Sequence, residues 1–84
     1  MIVKIFWQNE CSRCPQAKEL GKELEENGVK VEYHDVKNLD GLAEATYFNV
    51  LSTPSIIVVD DDQKEVNGWR GETPEIKDVK KFLN

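Results

Sequence analysis

Cys11 and Cys14 are the only cysteines in the chain, and Ser12-Arg13 between them sets the two thiols three residues apart. On the first turn of a helix, residues at i and i+3 share a face, so thiols at that spacing can close into a disulfide with little backbone movement. A helix N-terminus also offers free N–H groups and partial positive charge, which favour a thiolate over a thiol. The chemistry predicted is two-electron exchange by a dithiol, with Cys11 at the expected N-cap as the nucleophile and Cys14 one turn inward. Arg13 would help stabilise the thiolate and Glu10 would oppose it. At an exposed site each such charge is worth about 1 kcal/mol or less.

A lone cysteine pair in a reducing compartment is more often catalytic or metal-binding than structural. A structural zinc usually needs four protein ligands, and this chain offers two cysteines with His34 as the only further soft donor. A metal site within one subunit is therefore not expected. With 16 acidic side chains against 11 basic, the net charge is −5. That balance argues against a nucleic-acid partner and for partners that are neutral or carry basic patches. The opening run Ile2 to Trp7 is too short to span a bilayer and lacks a basic leader or small-residue cleavage site. The chain reads as complete and cytoplasmic, and its 84 residues as one domain.

The elements that must position the thiols follow from periodicity. Residues 2–7 are apolar and β-branched or aromatic apart from Lys4, as in a central strand. From Ser12, Ala17, Leu20 and Leu24 recur at helical spacing until Asn27-Gly28 stops the helix, and Pro15 is tolerated in its first turn. Residues 29–36 alternate, with Val29, Val31 and Tyr33 against Lys30, Glu32 and His34, so His34 is expected on a solvated edge-strand face. Two strands joined by a helix make a parallel, right-handed crossover. Asp40 is placed as the cap of a short helix carrying Leu42, Ala43, Tyr47 and Phe48 and closing near Asn49. Leu51 to Pro54 lead into an apolar strand at Ile56–Val59. A hairpin through the acidic run Asp60 to Asp62 then returns as a strand from Lys64 to Trp69. That run lacks the alternating ligands of a calcium loop and reads as a turn. Thr73-Pro74-Glu75 opens a last helix with Pro at its first position, buried through Ile76, Val79, Phe82 and Leu83.

This order, with C-x-x-C opening the first helix and Thr53-Pro54 opening the third strand, resembles the thioredoxin and glutaredoxin superfamily over nearly the whole chain. The resemblance implies an α/β, thioredoxin-like fold: strand, helix, strand, helix, strand, strand, helix, with a four-stranded mixed sheet flanked by helices. It implies that Cys11 is the exposed attacking thiol and Cys14 the buried resolving one. Pro54 would be a cis-proline facing the dithiol, the Thr53 backbone would pair with an extended partner segment, and Gly71 would lie beside the site. Trp7, four residues before Cys11, is similar to a thioredoxin tryptophan, to be weighed as core filling against substrate contact. Ile5 replaces the thioredoxins' buried acid and Ser12-Arg13 replaces their Gly-Pro. Neither the Pro-Tyr nor the Gly-Gly-x-Asp element of glutathione-binding glutaredoxins is present.

Functionally the resemblance implies a small dithiol hydrogen donor, without cofactor or metal, that reduces disulfides of partner proteins such as a ribonucleotide reductase. It would act as a monomer away from nucleic acid and membranes, fed by a thioredoxin-reductase-type donor. Two readings of other classes stand beside it. One is a dimeric metal or Fe–S carrier in which two subunits supply four thiolates. The other is a binding or redox-sensor module.

Overall fold

β1 (Ile2–Trp7), the apolar opening run, lies inside the sheet with four of its six residues buried. In the computed structural model, which describes residues 1–83, there follow α1 (Cys14–Glu26), β2 (Val31–Asp35), α2 (Leu39–Tyr47), β3 (Ser55–Val59), β4 (Glu65–Arg70) and α3 (Ile76–Lys80). The strand order is β2-β1-β3-β4, with β1 parallel to β2 and antiparallel to β3, and β4 antiparallel to β3. This is the mixed four-stranded sheet and the element order expected from the sequence. Phe6 lies opposite both His34 and Ser55, and Ser55 lies opposite Arg70. Register therefore brings the loops after β1, before β3 and after β4 to one end of the sheet. No helix among the described residues is long and apolar enough to cross a membrane.

Several boundaries differ from expectation, each for a local reason. Gly28, with φ of 81°, closes α1: its N–H donates to the Glu25 carbonyl and the Val29 N–H to the Leu24 carbonyl, 3.0 Å each. Val29 is thus spent on ending the helix, and β2 begins at Val31 rather than at residue 29. Asn38, not Asp40, caps α2, its Oδ1 accepting the Gly41 N–H at 3.1 Å. The buried face of that helix is Gly41 and Ala45, followed by Phe48, whereas Leu42 and Tyr47 are 52% and 72% exposed. A side chain at Gly41 would collide with the Asp35 backbone, so α2 presents its small residues to the sheet and turns its larger ones outward. Asn49, where the helix was expected to close, takes a left-handed conformation with φ of 59°. α3 starts at Ile76 with an extended Glu75 before it, whose carbonyl accepts the Asp78 and Val79 N–H groups, so Pro74 stays outside the helix. In the β3–β4 turn, the Asp60 carboxylate accepts the Asp62 and Lys64 N–H groups.

Alternation along β1 divides the core. Val3 and Ile5 pack with Ala17, Leu20, Leu24, Ile56, Val58 and Val79, while Phe6 packs with Ala45, Phe48, Val50, Ile57 and Val59 on the opposite face. Lys4 also belongs to the second face, only 3% exposed. Its ammonium lies 2.6 Å from Glu44 and 3.2 Å from Glu32, and 5.3 Å from the Phe48 ring centroid. Burial opposes the Lys4 charge, but the hydrogen bonds to Glu44 and Glu32 outweigh it and hold the pKa above the ordinary lysine value. Burial likewise opposes ionisation of Glu32, yet the hydrogen bonds with His34 and Lys4 hold it below the ordinary carboxylate range.

His34 stacks on Phe6 at 5.2 Å, and its Nε2 is 3.0 Å from Glu32. The expectation of a solvated histidine is corrected, because α2 brings Glu44 over the polar face of β2 and leaves the His34 side chain 17% exposed. Glu32, His34 and Glu44 place three potential ligand atoms within 4.8 Å of one another, and Lys4 supplies the positive charge there.

Candidate active site

The loop from β1 to α1 carries the cysteines. Cys11 and Cys14 are joined in a disulfide with their Cα atoms 5.4 Å apart. The Cys14 N–H donates to the Cys11 carbonyl at 3.2 Å, closing a turn just ahead of α1. The N-cap is therefore Arg13, whereas the sequence had suggested Cys11; Cys14 takes the first helical position and Pro15 follows it. The proline has no N–H to satisfy in that first turn. No side chain caps the helix and no acidic residue stands in its first turn, so its partial positive charge is directed at the cysteine turn. Cys14 is 2% exposed, Cys11 is partly buried and Arg13 is exposed.

The loop before β3 is fastened to the cysteine loop and to the turn after β4. The Thr53–Pro54 peptide is cis, and Pro54 is buried. Gln8 Nε2 donates to Thr53 Oγ1 at 2.9 Å, bridging 45 residues of sequence. Ser55, with no exposed surface, donates from Oγ to the Ser52 carbonyl at 2.7 Å and accepts the Gly71 N–H at 3.2 Å. Gly71 has φ of +78°, and a Cβ there would press on Ser52 Oγ at 3.1 Å, so glycine meets both a backbone and a steric requirement. Among the described residues, no protein hydrogen bond engages the Thr53 N–H or C=O. That leaves main-chain groups free in the loop before β3, at the same end of the sheet as the cysteine loop.

Trp7, at the end of β1, is partly buried and holds the Lys18 ammonium over its ring, 3.5 Å from the centroid. With Gln8, Asn9, Cys11, Cys14 and Pro15, these two side chains line a small cavity of about 150 Å³. His34 lies instead in the cluster with Lys4, Glu32 and Glu44.

Three residues that build this site escaped the reading of the sequence. Ser55 had a signal, a lone hydroxyl beginning an apolar strand; Lys18 had another, four residues after Cys14 and so on the same helical face. Gln8 had none, since its role rests on a contact across the sheet end.

Truncating Ser55 to alanine should leave the Gly71 N–H and the Ser52 carbonyl without their partner in a dry environment, at a cost of about 1–3 kcal/mol. Urea unfolding of Ser55→Ala should show a lower midpoint at unchanged slope; an unchanged midpoint would mean that the two loops hold together without it.

Comparison with known proteins adds relatives to this geometry. The family described as Thioredoxin domain matches residues 1–84. No curated protein sequence matches the chain. Among solved structures, thioredoxin 1 from the thermophilic eubacterium Thermosipho africanus superposes with a TM-score of 0.78 at 18% identity, covering 99% of this chain and 90% of its own. A mutant thioredoxin from Halobacterium salinarum gives 0.82 at 18% identity over 98% of this chain and 70% of its own. The thioredoxin pre-protein of Schistosoma mansoni gives 0.76 at 26% identity over 98% and 78%.

Proposed function

Since the chain belongs to the thioredoxin-domain family, and is on that ground a thiol–disulfide oxidoreductase, we propose that it works as a small dithiol donor reducing disulfides of partner proteins. The observation that carries this reading is the cysteine pair itself: Cys11 is accessible, Cys14 is buried behind it, and the two are already within bonding distance. In the reduced protein the Cys11 thiolate attacks one sulfur of a partner disulfide and expels the other as a thiolate, which takes up a proton. Cys14 loses its proton and attacks Cys11 Sγ. The Cys11–Cys14 bond forms, the second partner sulfur leaves as a thiolate, and two electrons have passed to the partner. The unengaged Thr53 main chain would pair with the extended segment that carries the partner disulfide. Disulfide-forming enzymes such as ribonucleotide reductases are the acceptor class proposed, in the cytoplasm and with the protein acting as a monomer.

The electron donor proposed is a thioredoxin-reductase-type protein rather than glutathione. The segment Gly68-Trp69-Arg70-Gly71-Glu72 supplies no Gly-Gly-x-Asp element, and a chain of net charge −5 weakly repels an anionic tripeptide. Oxidised protein should turn over rapidly with a thioredoxin reductase system and slowly with excess glutathione, followed by free-thiol release. Saturable reduction by glutathione together with indifference to the reductase would reverse the assignment. Capture of a mixed disulfide on Cys14→Ser, and identification of the attached protein, tests the acceptor class.

A further inference from the structure

We propose that Lys18 is a positioning residue of the dithiol, its ammonium held by the Trp7 ring where it stabilises the thiolate of Cys14 in the resolving step. The inference rests on the reductase reading for its purpose but not for its test. Lys18 follows Cys14 by four residues on α1. Side chains at i and i+4 lie one above the other and lean toward the helix N-terminus, so Lys18 leans toward Cys14. Its flexible stem would ordinarily leave the ammonium free in solvent, at little electrostatic benefit. Here the face of Trp7 fixes it, 3.5 Å from the ring centroid.

The cavity on which the pair opens is lined by both cysteines, and among the described residues Lys18 is its only other ionisable side chain. No carboxylate or imidazole lines it to take the Cys14 proton, and Ile5, fully buried on β1, offers no such group from the strand beneath. Charges outside the cavity are Arg13 and Glu10, both exposed and opposite in sign. Cys14, 2% exposed, is the sulfur that pays most for becoming an anion, because burial disfavours its charged form. A cation fixed beside a buried sulfur offsets that penalty more than the same charge free in solvent would. When Cys14 gives its proton to solvent and attacks Cys11 Sγ, the transient negative charge forms beside Lys18 and then passes to the departing partner sulfur.

The test titrates each thiol alone, by ultraviolet thiolate absorbance against pH, in Cys11→Ser and Cys14→Ser backgrounds carrying Lys18, Lys18→Gln or Lys18→Arg. At neutral pH, Lys18→Gln should lower the thiolate fraction of Cys14 about threefold to tenfold, with a smaller effect on Cys11. Lys18→Arg should restore it, since Arg keeps the charge and stacks on Trp7 as well. Trp7→Leu, which leaves the lysine but removes its platform, should reproduce part of the loss. An unchanged Cys14 titration in Lys18→Gln overturns the proposal, as does an equal shift at both cysteines. Because no substrate enters the titration, a wild-type protein that reduces no disulfide would sink the reductase reading and leave the Lys18 result standing on its own.

Discussion

Cys11→Ser should abolish disulfide reduction, lowering kcat/KM by about a thousandfold or more. A serine hydroxyl is not ionised near neutrality and cannot form the mixed disulfide through which electrons pass. The substitution is nearly isosteric at a partly exposed turn position, so the fold should survive it. Cys14→Ser should behave differently. It retains the attacking thiol, so a partner disulfide should trap the protein as a covalent adduct stable until an external thiol is added. Mass spectrometry of each variant after incubation with a disulfide-bonded peptide distinguishes the two. Adduct on Cys11→Ser but not on Cys14→Ser would exchange the roles of the two sulfurs.

Lys4→Met should cost about 2–4 kcal/mol of folding stability, a large loss for a single polar position. The ammonium sits 2.6 Å from Glu44 and 3.2 Å from Glu32, and its removal leaves two carboxylates facing each other at the edge of an apolar core. Breaking a fully buried pair costs about 3–5 kcal/mol; the lower figure allows for carboxylates that are each about a third exposed and can recover part of their hydration. Adding Glu32→Gln and Glu44→Gln to Lys4→Met should return much of the loss, because the penalty lies in uncompensated charge rather than in shape.

The cluster also sets a pH response. The Lys4 pKa is raised on folding, so its contribution is complete below the ordinary lysine value of 10.5 and is lost as the pH rises through the higher folded value. The Glu32 pKa is depressed, so its contribution is present above the ordinary carboxylate value of 4.5 and is lost as the pH falls through the lower folded one. Urea titrations of wild type and Lys4→Met across that range should differ most between these limits and converge at both ends. Equal stability of the two proteins at neutral pH would show that the ion cluster does not hold α2 to the sheet.

What the sequence by itself determined is local. The apolar run 2–7, the helical spacing of Ala17, Leu20 and Leu24, and the alternation of residues 29–36 were enough for the element order, while the four-stranded mixed sheet was implied by the family that this order, with Cys11, Cys14, Thr53 and Pro54, resembles. Each of these signals is a periodicity or spacing written within a few residues, where side-chain direction follows from backbone geometry. The helix starts were less legible, because Asn38 against Asp40 or Glu75 against Pro74 is a choice between neighbours of similar propensity that main-chain hydrogen bonds decide.

Only the tertiary structure decided which residues those elements press together. The sequence put Leu42 and Tyr47 on the second helix without saying which face they take; with Gly41 pressed close to Asp35, both lie outward. Lys4 read as an interruption and His34 as solvated, until α2 laid Glu44 across the strand pair. The links from Gln8 to Thr53 and from Ser55 to Gly71 join residues 45 and 16 positions apart. The Lys18 ammonium is set by the Trp7 ring on another element. A contact of that kind depends on sheet register and on how closely a helix can approach its strand, and both are set by the packing of the whole chain rather than by any one segment.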